Sequence, residues 1–163
     1  MKFLRGELDG VWIIEFDKHA DERGYFARTW CVEEFEQNGL NPRLLQCNTS
    51  FSHKAGTLRG MHYQAAPHAE AKLIRCTRGA IFDVALDLRP NSPTFKRWLS
   101  MELHAGGNRM LYIPEGFAHG FQTLEDQTEV FYQMSEFYHP ESARGVRWDD
   151  VETGIQWPIR NPI

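Results

Sequence analysis

The sequence predicts an all-β fold, a sandwich or barrel of many short strands. Runs rich in β-branched and aromatic residues recur at a spacing of about 8–12 residues, which is typical of such folds. Turn-forming groups such as Arg78-Gly79 and Gly106-Gly107-Asn108 separate these runs. A clear helical pattern is confined to one short segment, Val32–Asn38, so helices contribute little to the predicted architecture.

The strand pattern is clearest in the middle of the chain. Residues 81–88 alternate between two faces with a period of two, as a β-strand requires. Lys72–Thr77 and Ala80–Leu88 flank Arg78-Gly79, so we expect a tight hairpin there. In chain order, the predicted strands are Val11–Phe16, Tyr25–Trp30, Arg43–Asn48, Lys72–Thr77, Ala80–Leu88, Trp98–Leu103, Met110–Ile113, Gly120–Leu124 and Glu129–Phe137.

The remaining segments complete the predicted architecture. Val32–Asn38 is expected to be a helix, and Asp149–Gly154 a turn of helix, so the fold has one or two short helices. Trp157–Ile163 contains two prolines and predicts an extended tail. Because there is no repeat, low-complexity segment or linker, we expect a single domain over residues 1–163.

Composition narrows the class of protein. Charged residues make up 25% and hydrophobic residues 42%, and the net charge of −4 argues against a partner rich in nucleic-acid phosphates. No apolar run approaches the ~20 residues of a membrane span, and Met1–Gly10 lacks a signal-peptide pattern. The dispersed Cys31, Cys47 and Cys76 indicate free thiols in a reducing compartment. We therefore expect a cytoplasmic protein with neither nucleic acid nor a membrane as partner.

Two segments each place one histidine among glycines and apolar residues. His62 lies within Leu58–Gln64 and His119 within Ile113–Phe121. If both imidazoles converge in one concave site, the site suits either proton transfer or metal binding. The other histidines fall in polar, turn-like stretches, where a solvated surface position is expected: His19, His53, His68, His104 and His139.

The spacing around these histidines favours proton transfer. Pro114-x-Gly116-x-x-His119 is the second half-signature of cupins, small β-barrels that often bind a metal. The first half-signature requires two histidines one residue apart and then a glutamate, but Gln64 takes the place of the second histidine after His62. Metal sites usually need three or four N, O or S ligands. Two histidines without a well-placed carboxylate therefore indicate acid–base chemistry without a metal.

Charged and phenolic residues in apolar strands are further candidates. Lys72 opens an apolar strand, and both an inward position and an edge position in solvent are open. Asp83 and Asp87 share one face of an otherwise apolar strand, so each must be paired or face a polar cavity. Tyr132 and Tyr138 flank another strand, and at least one of them is expected to be a core aromatic.

Taken together, these motifs resemble the dTDP-4-dehydrorhamnose 3,5-epimerase family over nearly the whole chain. The resemblance implies a cupin-type jelly-roll barrel without a metal or redox cofactor. It also implies a homodimer in which an N-terminal strand reaches the neighbour, and a nucleotide-linked 4-keto-6-deoxy sugar as substrate. The matching segments are 21–26, 46–52, 58–64, 72–76, 82–87, 92–95, 113–121, 145–150 and 154–158.

The resemblance also implies residue roles. A ketone at C4 acidifies the protons at C3 and C5, so His62 is expected to remove a proton as general base. Lys72 is expected to stabilise the enolate oxygen, and Tyr132 to return a proton from the other face. Arg59, His119, Gln46 and Asn48 are expected to line the pocket, Tyr138 to stack on the nucleotide base and Arg23 to bind the diphosphate.

The chain departs from the family pattern at three points. Relatives continue beyond the Trp-Pro pair to an aspartate that orients the catalytic histidine, whereas this sequence stops at Ile163, so we expect Asp83 or another carboxylate to orient His62. Arg28 and Ala143 stand where the family commonly has glutamates. These departures leave two alternatives open: epimerisation at only one of C3 and C5, or a catalytically weakened nucleotide-sugar-binding protein.

Overall fold

The computed structural model describes all 163 residues and is almost entirely β. The single helix, α1 (Val32–Gln37), is short, and no helix is long and apolar enough to cross a membrane. The strands are β1 (Lys2–Arg5), β2 (Trp12–Glu15), β3 (His19–Asp21), β4 (Gly24–Phe26), β5 (Gln46–Ser52), β6 (Leu58–Gln64), β7 (Lys72–Arg78), β8 (Ala80–Asp87), β9 (Trp98–His104), β10 (Arg109–Ile113), β11 (Phe117–Thr123), β12 (Thr128–Met134) and β13 (Ala143–Gly145).

The strands form two antiparallel sheets of a cupin-type jelly roll, as the sequence predicted. A six-stranded sheet has the order β1-β2-β10-β7-β12-β5, and a five-stranded sheet has the order β13-β6-β11-β8-β9. Strands that neighbour one another in space are mostly distant in sequence, which is typical of two packed sheets with crossing connections. The hairpin β3–β4 stands apart from both sheets.

The main hydrophobic core lies between the two sheets. It combines Ile74 and Val130 from the six-stranded sheet with Ile81, Ala85 and Phe121 from the five-stranded sheet. Because strand residues alternate between faces, the residues two positions beyond these core side chains also point between the sheets. At one end of the sandwich those inward positions are polar, and a cavity takes the place of the core.

Two glycines allow β6 and β11 to approach each other beside this cavity. Gly60 has φ +125°, and a Cβ placed there would lie 2.5 Å from the Cα of Gly120. Side chains at these positions would push the strands apart. The glycines of the two histidine segments therefore permit close contact between β6 and β11.

The structure confirms the central hairpin and the position of the helix. β7 and β8 flank Gly79, which has φ +73°, and α1 ends one residue before the predicted end. Asp87 is paired, as its burial required: its Oδ2 accepts hydrogen bonds from Arg89, Ser92 and Thr94 at 2.8, 2.6 and 2.6 Å.

Other predicted elements were wrong or misplaced. Asp149–Gly154 forms hydrogen-bonded turns rather than a helix. The strand predicted at Tyr25–Trp30 ends at Phe26, and the one predicted at Glu129–Phe137 ends at Met134. β1, β3, β6 and β13 were not predicted as strands, because their charged residues, alanines and glycines have low β propensity and only pairing with neighbouring strands holds them in place.

Candidate active site

A cavity of about 900 Å³ opens between the two sheets. The six-stranded sheet contributes residues from β5, β7 and β12, and the five-stranded sheet contributes residues from β6 and β11. The polar and charged residues that line it include Gln46, Asn48, Arg59, His62, Gln64, Glu70, Lys72, His119, Tyr132, Tyr138 and Arg144. The cavity is thus large enough for a sizeable polar ligand and has reactive groups on both walls.

His62 lies on the wall formed by the five-stranded sheet. It sits on β6, directly across the strand pair from His119 on β11, and its side chain is open to the cavity. The pKa of His62 is lowered by burial and, to a smaller extent, by the positive charges of Lys72 and His119. A neutral imidazole with a free lone pair is the form that can accept a proton.

Lys72 is buried and points into the cavity, which decides between the two positions that the sequence left open. Its Nζ lies 2.7 Å from Oε1 of Glu70 and donates a hydrogen bond of 3.3 Å to the backbone carbonyl of His62. The ammonium group therefore lies beside the strand that carries His62. Its third N–H remains for a ligand.

Tyr132 lies on the opposite wall, which belongs to the six-stranded sheet. On β12 it follows the core residue Val130 by two positions and shares its inward face. Burial raises the pKa of Tyr132, although the charge of Arg59 opposes this effect. The phenol thus keeps its proton at neutral pH and can donate it.

Arg59, Gln46 and Asn48 complete the polar lining. Arg59 donates to Oγ of Ser52 at 3.3 Å, which holds the guanidinium against β5. Gln46 and Asn48 lie on one face of β5 and donate weak hydrogen bonds to Sδ of Met134 at 3.6 and 3.2 Å. A sulfur acceptor is weak, so both amides can turn to a better acceptor when a ligand is present.

The interpretation that Asp83 orients His62 was wrong, because Asp83 contacts His119 instead. Oδ1 of Asp83 lies 2.7 Å from Nε2 of His119, and both side chains are buried. The antiparallel register of β8 and β11 sets Asp83 opposite Phe121 and diagonal to His119, on the same face. The structure thus contains a buried aspartate–histidine pair, and its histidine lines the cavity.

Tyr138 and Arg23 lie in different surroundings. Tyr138 lies at the rim of the cavity with 60% of its surface exposed, and its backbone N–H donates to Oε1 of Gln46 at 2.9 Å. Arg23 does not line this cavity. It projects into solvent from the β3–β4 turn, where it forms a salt bridge of 2.6 Å with Asp21.

The sequence does not single out three of the polar residues that line the cavity, Glu70, Gln64 and Arg144. Glu70 is buried beside Lys72, and the signal that could have found it is a carboxylate two residues before a buried lysine. From its place in the sequence, Gln64 is expected only to be a poor metal ligand. Its side-chain amide instead bridges two segments, because it donates to the carbonyl of His68 and accepts from the N–H of His139, at 2.9 and 2.6 Å.

His68 and His139 are half-buried rather than solvated, contrary to expectation. Their rings stack at 3.4 Å with planes 7° apart, and Glu141 lies beside them. One ligand atom from each of the three residues lies within 4.8 Å of the other two, which is the spacing of a loose metal site. However, a cation shared by stacked parallel rings would lie outside both ring planes, whereas an imidazole nitrogen directs its lone pair within the plane. The arrangement is therefore a poor metal site.

Comparison with known proteins shows extensive similarity. A sequence profile described as dTDP-4-dehydrorhamnose 3,5-epimerase matches residues 5–163. The dTDP-4-dehydrorhamnose 3,5-epimerase of Methanothermobacter thermautotrophicus is 47% identical over 158 residues, covering 97% of this chain and 84% of that protein.

Solved structures extend the similarity to the fold. The dTDP-4-dehydrorhamnose 3,5-epimerase of Bacillus anthracis, with TDP and PPi bound, has a TM-score of 0.96 at 41% identity, covering 99% of this chain and 93% of that chain. The dTDP-6-deoxy-D-glucose-3,5-epimerase of Legionella pneumophila, in complex with dTDP-4-keto-L-rhamnose, has a TM-score of 0.93 at 36% identity, covering 99% and 86%.

Proposed function

The chain belongs to the dTDP-4-dehydrorhamnose 3,5-epimerase family, and from this premise we propose how its cavity performs the reaction. It is an isomerase that acts on a nucleotide-linked 4-keto-6-deoxy sugar of the dTDP-4-dehydro-6-deoxyglucose type. The proposal is that it inverts C3 and C5, each by removal of a proton from one face and return of a proton to the other.

One observation carries this mechanism: the imidazole of His62 and the phenol of Tyr132 lie on opposite walls of the same cavity. His62 lies on β6 of one sheet and Tyr132 on β12 of the other. A sugar ring between them presents one face to the base and the opposite face to the acid. Removal by His62 and return by Tyr132 would therefore invert the carbon.

Lys72 is proposed to stabilise the intermediate. When the C–H bond breaks, its electron pair moves towards the C4 ketone and places negative charge on the ketone oxygen. The buried ammonium of Lys72 lies beside the backbone of His62, close to where that charge develops. Such a preorganised donor typically contributes about 10²–10³ in rate, because it interacts more strongly with the enolate than with the ketone.

The other cavity residues are proposed to bind the substrate. Arg59 and His119 add positive or proton-donating groups beside the reacting ring, and Gln46 and Asn48 offer amides to its hydroxyl groups. Tyr138 at the rim is proposed to stack on the nucleotide base, as its exposed ring is free to do.

Arg23 is proposed to act in a neighbouring subunit of a homodimer. Its hairpin projects from the sandwich and exposes Tyr25 and Phe26 to 56% and 73%, which is a large apolar surface for a three-residue strand. Docking of this hairpin on a second copy would bury both rings and bring the guanidinium towards the diphosphate of the partner's substrate. Sedimentation analysis at micromolar protein should give a dimer, and a monomer would contradict this proposal.

An isotope experiment tests the reaction. The protein is incubated with dTDP-4-keto-6-deoxyglucose in heavy water, and deuterium in the recovered sugar is counted by mass and located by NMR. Incorporation at both C3 and C5 supports the proposal, and incorporation at one carbon restricts the enzyme to that centre. No incorporation with this or any other nucleotide-linked 4-keto sugar would contradict it.

A further inference from the structure

Glu70 is a carboxylate buried in the wall of the cavity, and the reaction described above leaves it without a role. Only 3% of its side chain is exposed, and its Oε2 has no hydrogen-bond partner. Burying a carboxylate costs several kcal/mol unless charges and hydrogen bonds compensate it. A buried glutamate with one unpaired oxygen therefore needs an explanation.

The partner of Glu70 is Lys72. The Lys72 ammonium lies 2.7 Å from Oε1, and the lysine side chain is itself only 8% exposed. Buried ion pairs are often no more stabilising than apolar side chains of the same volume. Stability alone therefore gives little reason for this pair, whereas a defined position for the ammonium does.

The contacts of the Lys72 ammonium determine where its remaining N–H group can point. A lysine ammonium has three N–H donors. Glu70 lies against it on one side, and the carbonyl of His62 accepts a hydrogen bond of 3.3 Å on another. With these two acceptors in place, one N–H is left, and the cavity that Lys72 lines is the open space available to it.

We propose that Glu70 is a positioning residue, whose carboxylate holds the Lys72 ammonium so that its free N–H points at the ketone oxygen of the substrate. This inference rests on the proposed function, because it assigns Glu70 a part in the same enolate-forming step. Glu70 transfers no proton and forms no bond to the sugar. Its free oxygen is shielded from solvent, so a ligand in the cavity does not reach it without movement of the side chain.

Glu70 acts through Lys72, and a double-mutant cycle tests this directly. The variants are Glu70→Ala, Lys72→Ala and the double variant, and the readout is the rate of deuterium incorporation under saturating substrate. Glu70→Ala should lower kcat by about 100-fold, the loss typical of a displaced catalytic group, with KM changed less than about threefold. In the Lys72→Ala background the same substitution should change kcat by less than about twofold, because there is no ammonium left to position.

Conservative variants distinguish the effect of the position of the residue 70 acceptor oxygen from the effect of its charge. Glu70→Gln keeps an acceptor oxygen at the same reach and should restore kcat to within about tenfold of the wild type. Glu70→Asp keeps the charge but withdraws the carboxylate by one methylene, so it should be slower than Glu70→Gln. Glu102→Ala, the same truncation on the exposed face of β9, serves as the matched control and should leave kcat unchanged.

The possible outcomes are distinct. Wild-type kcat in Glu70→Ala, an equal loss in the presence and absence of Lys72, or an Asp variant faster than the Gln variant would each overturn the inference while leaving the proposed function intact. If Glu70→Ala does not fold, the comparison of the Gln and Asp variants decides. A wild-type protein that exchanges no deuterium would remove the proposed function and this inference together.

Discussion

The close approach of β6 and β11 makes Gly60→Ala the sharpest test of how the fold positions the catalytic histidine. A Cβ at position 60 would lie 2.5 Å from the Cα of Gly120 and 2.8 Å from the carbonyl oxygen of His119. Both neighbours are backbone atoms, so no side chain can turn away. Ordinary contact begins near 3.4 Å, and the strands must therefore separate by about 0.9 Å.

This separation displaces His62, which lies two residues further along β6, relative to His119 and to the opposite wall. A misplacement of about 1 Å typically costs about 100-fold in rate, equivalent to about 2.7 kcal/mol in the activation barrier. The φ of +125° adds a conformational cost of about 1–2 kcal/mol to folding, because an alanine rarely adopts it. We therefore expect a folded but less stable enzyme with kcat lowered by about 100-fold.

Deuterium incorporation measures the loss of activity, and urea unfolding separately measures the loss of stability. Gly39→Ala is the matched control, since Gly39 also has a positive φ of +71° but no atom within 4 Å of the added Cβ. The control should lose stability through strain alone and keep its activity. A folded Gly60→Ala variant with activity within threefold of the wild type would refute the reasoning that the glycine contact positions the site.

Three further predictions concern the side chains of the cavity. Burial and nearby positive charges lower the pKa of His62, so kcat/KM should rise with pH through a midpoint below about 6.5, the usual pKa of a histidine, and stay high above it. A midpoint above about 6.5 would contradict the assignment of the base. Tyr132→Phe removes the proposed acid but keeps the base, so deuterium should still enter the sugar. The rate of net inversion, measured by NMR of the product, should fall by about 10²–10⁴. An unchanged rate of inversion would exclude Tyr132 as the acid. Asp83→Asn replaces the charged partner of His119 with an amide, so the free energy of unfolding, measured by urea titration, should fall by about 1.5–3 kcal/mol. An unchanged urea midpoint would mean that the Asp83–His119 pair does not stabilise the folded state.

Strands with a strong local sequence pattern were predicted correctly, and strands without one were missed. β8 was predicted almost to the residue, because its alternating pattern and its turn at Gly79 are both local. β6 carries His62 yet was not predicted as a strand, because Arg59, Gly60 and Gln64 give it little β propensity of its own. Its pairing with β11 and β13 is a long-range property of the sandwich.

In the candidate site, too, the residue types were predictable from the sequence, whereas their partners depended on long-range structure. His62, Lys72 and Tyr132 were chosen from their types, from their neighbours and from the family resemblance, and the structure brings all three to one cavity. The predicted partner of Asp83, His62, is wrong, because only the register of β8 against β11 determines which imidazole Asp83 contacts. The spacing of Glu70 and Lys72 is only a weak signal, because a glutamate near a lysine is ordinary at a surface and becomes significant only when both are buried.

The sequence by itself determined the strand periodicity, the glycines that permit close contact and the chemical groups available for proton transfer. Only the tertiary structure decided that His62 and Tyr132 line one cavity from different sheets, that Asp83 pairs with His119 and that Glu70 pairs with Lys72. The physical reason is the range of the interactions. Side-chain type and backbone preference are local, whereas strand register and burial depend on residues far apart in the chain, and these set the distances and charges in the cavity.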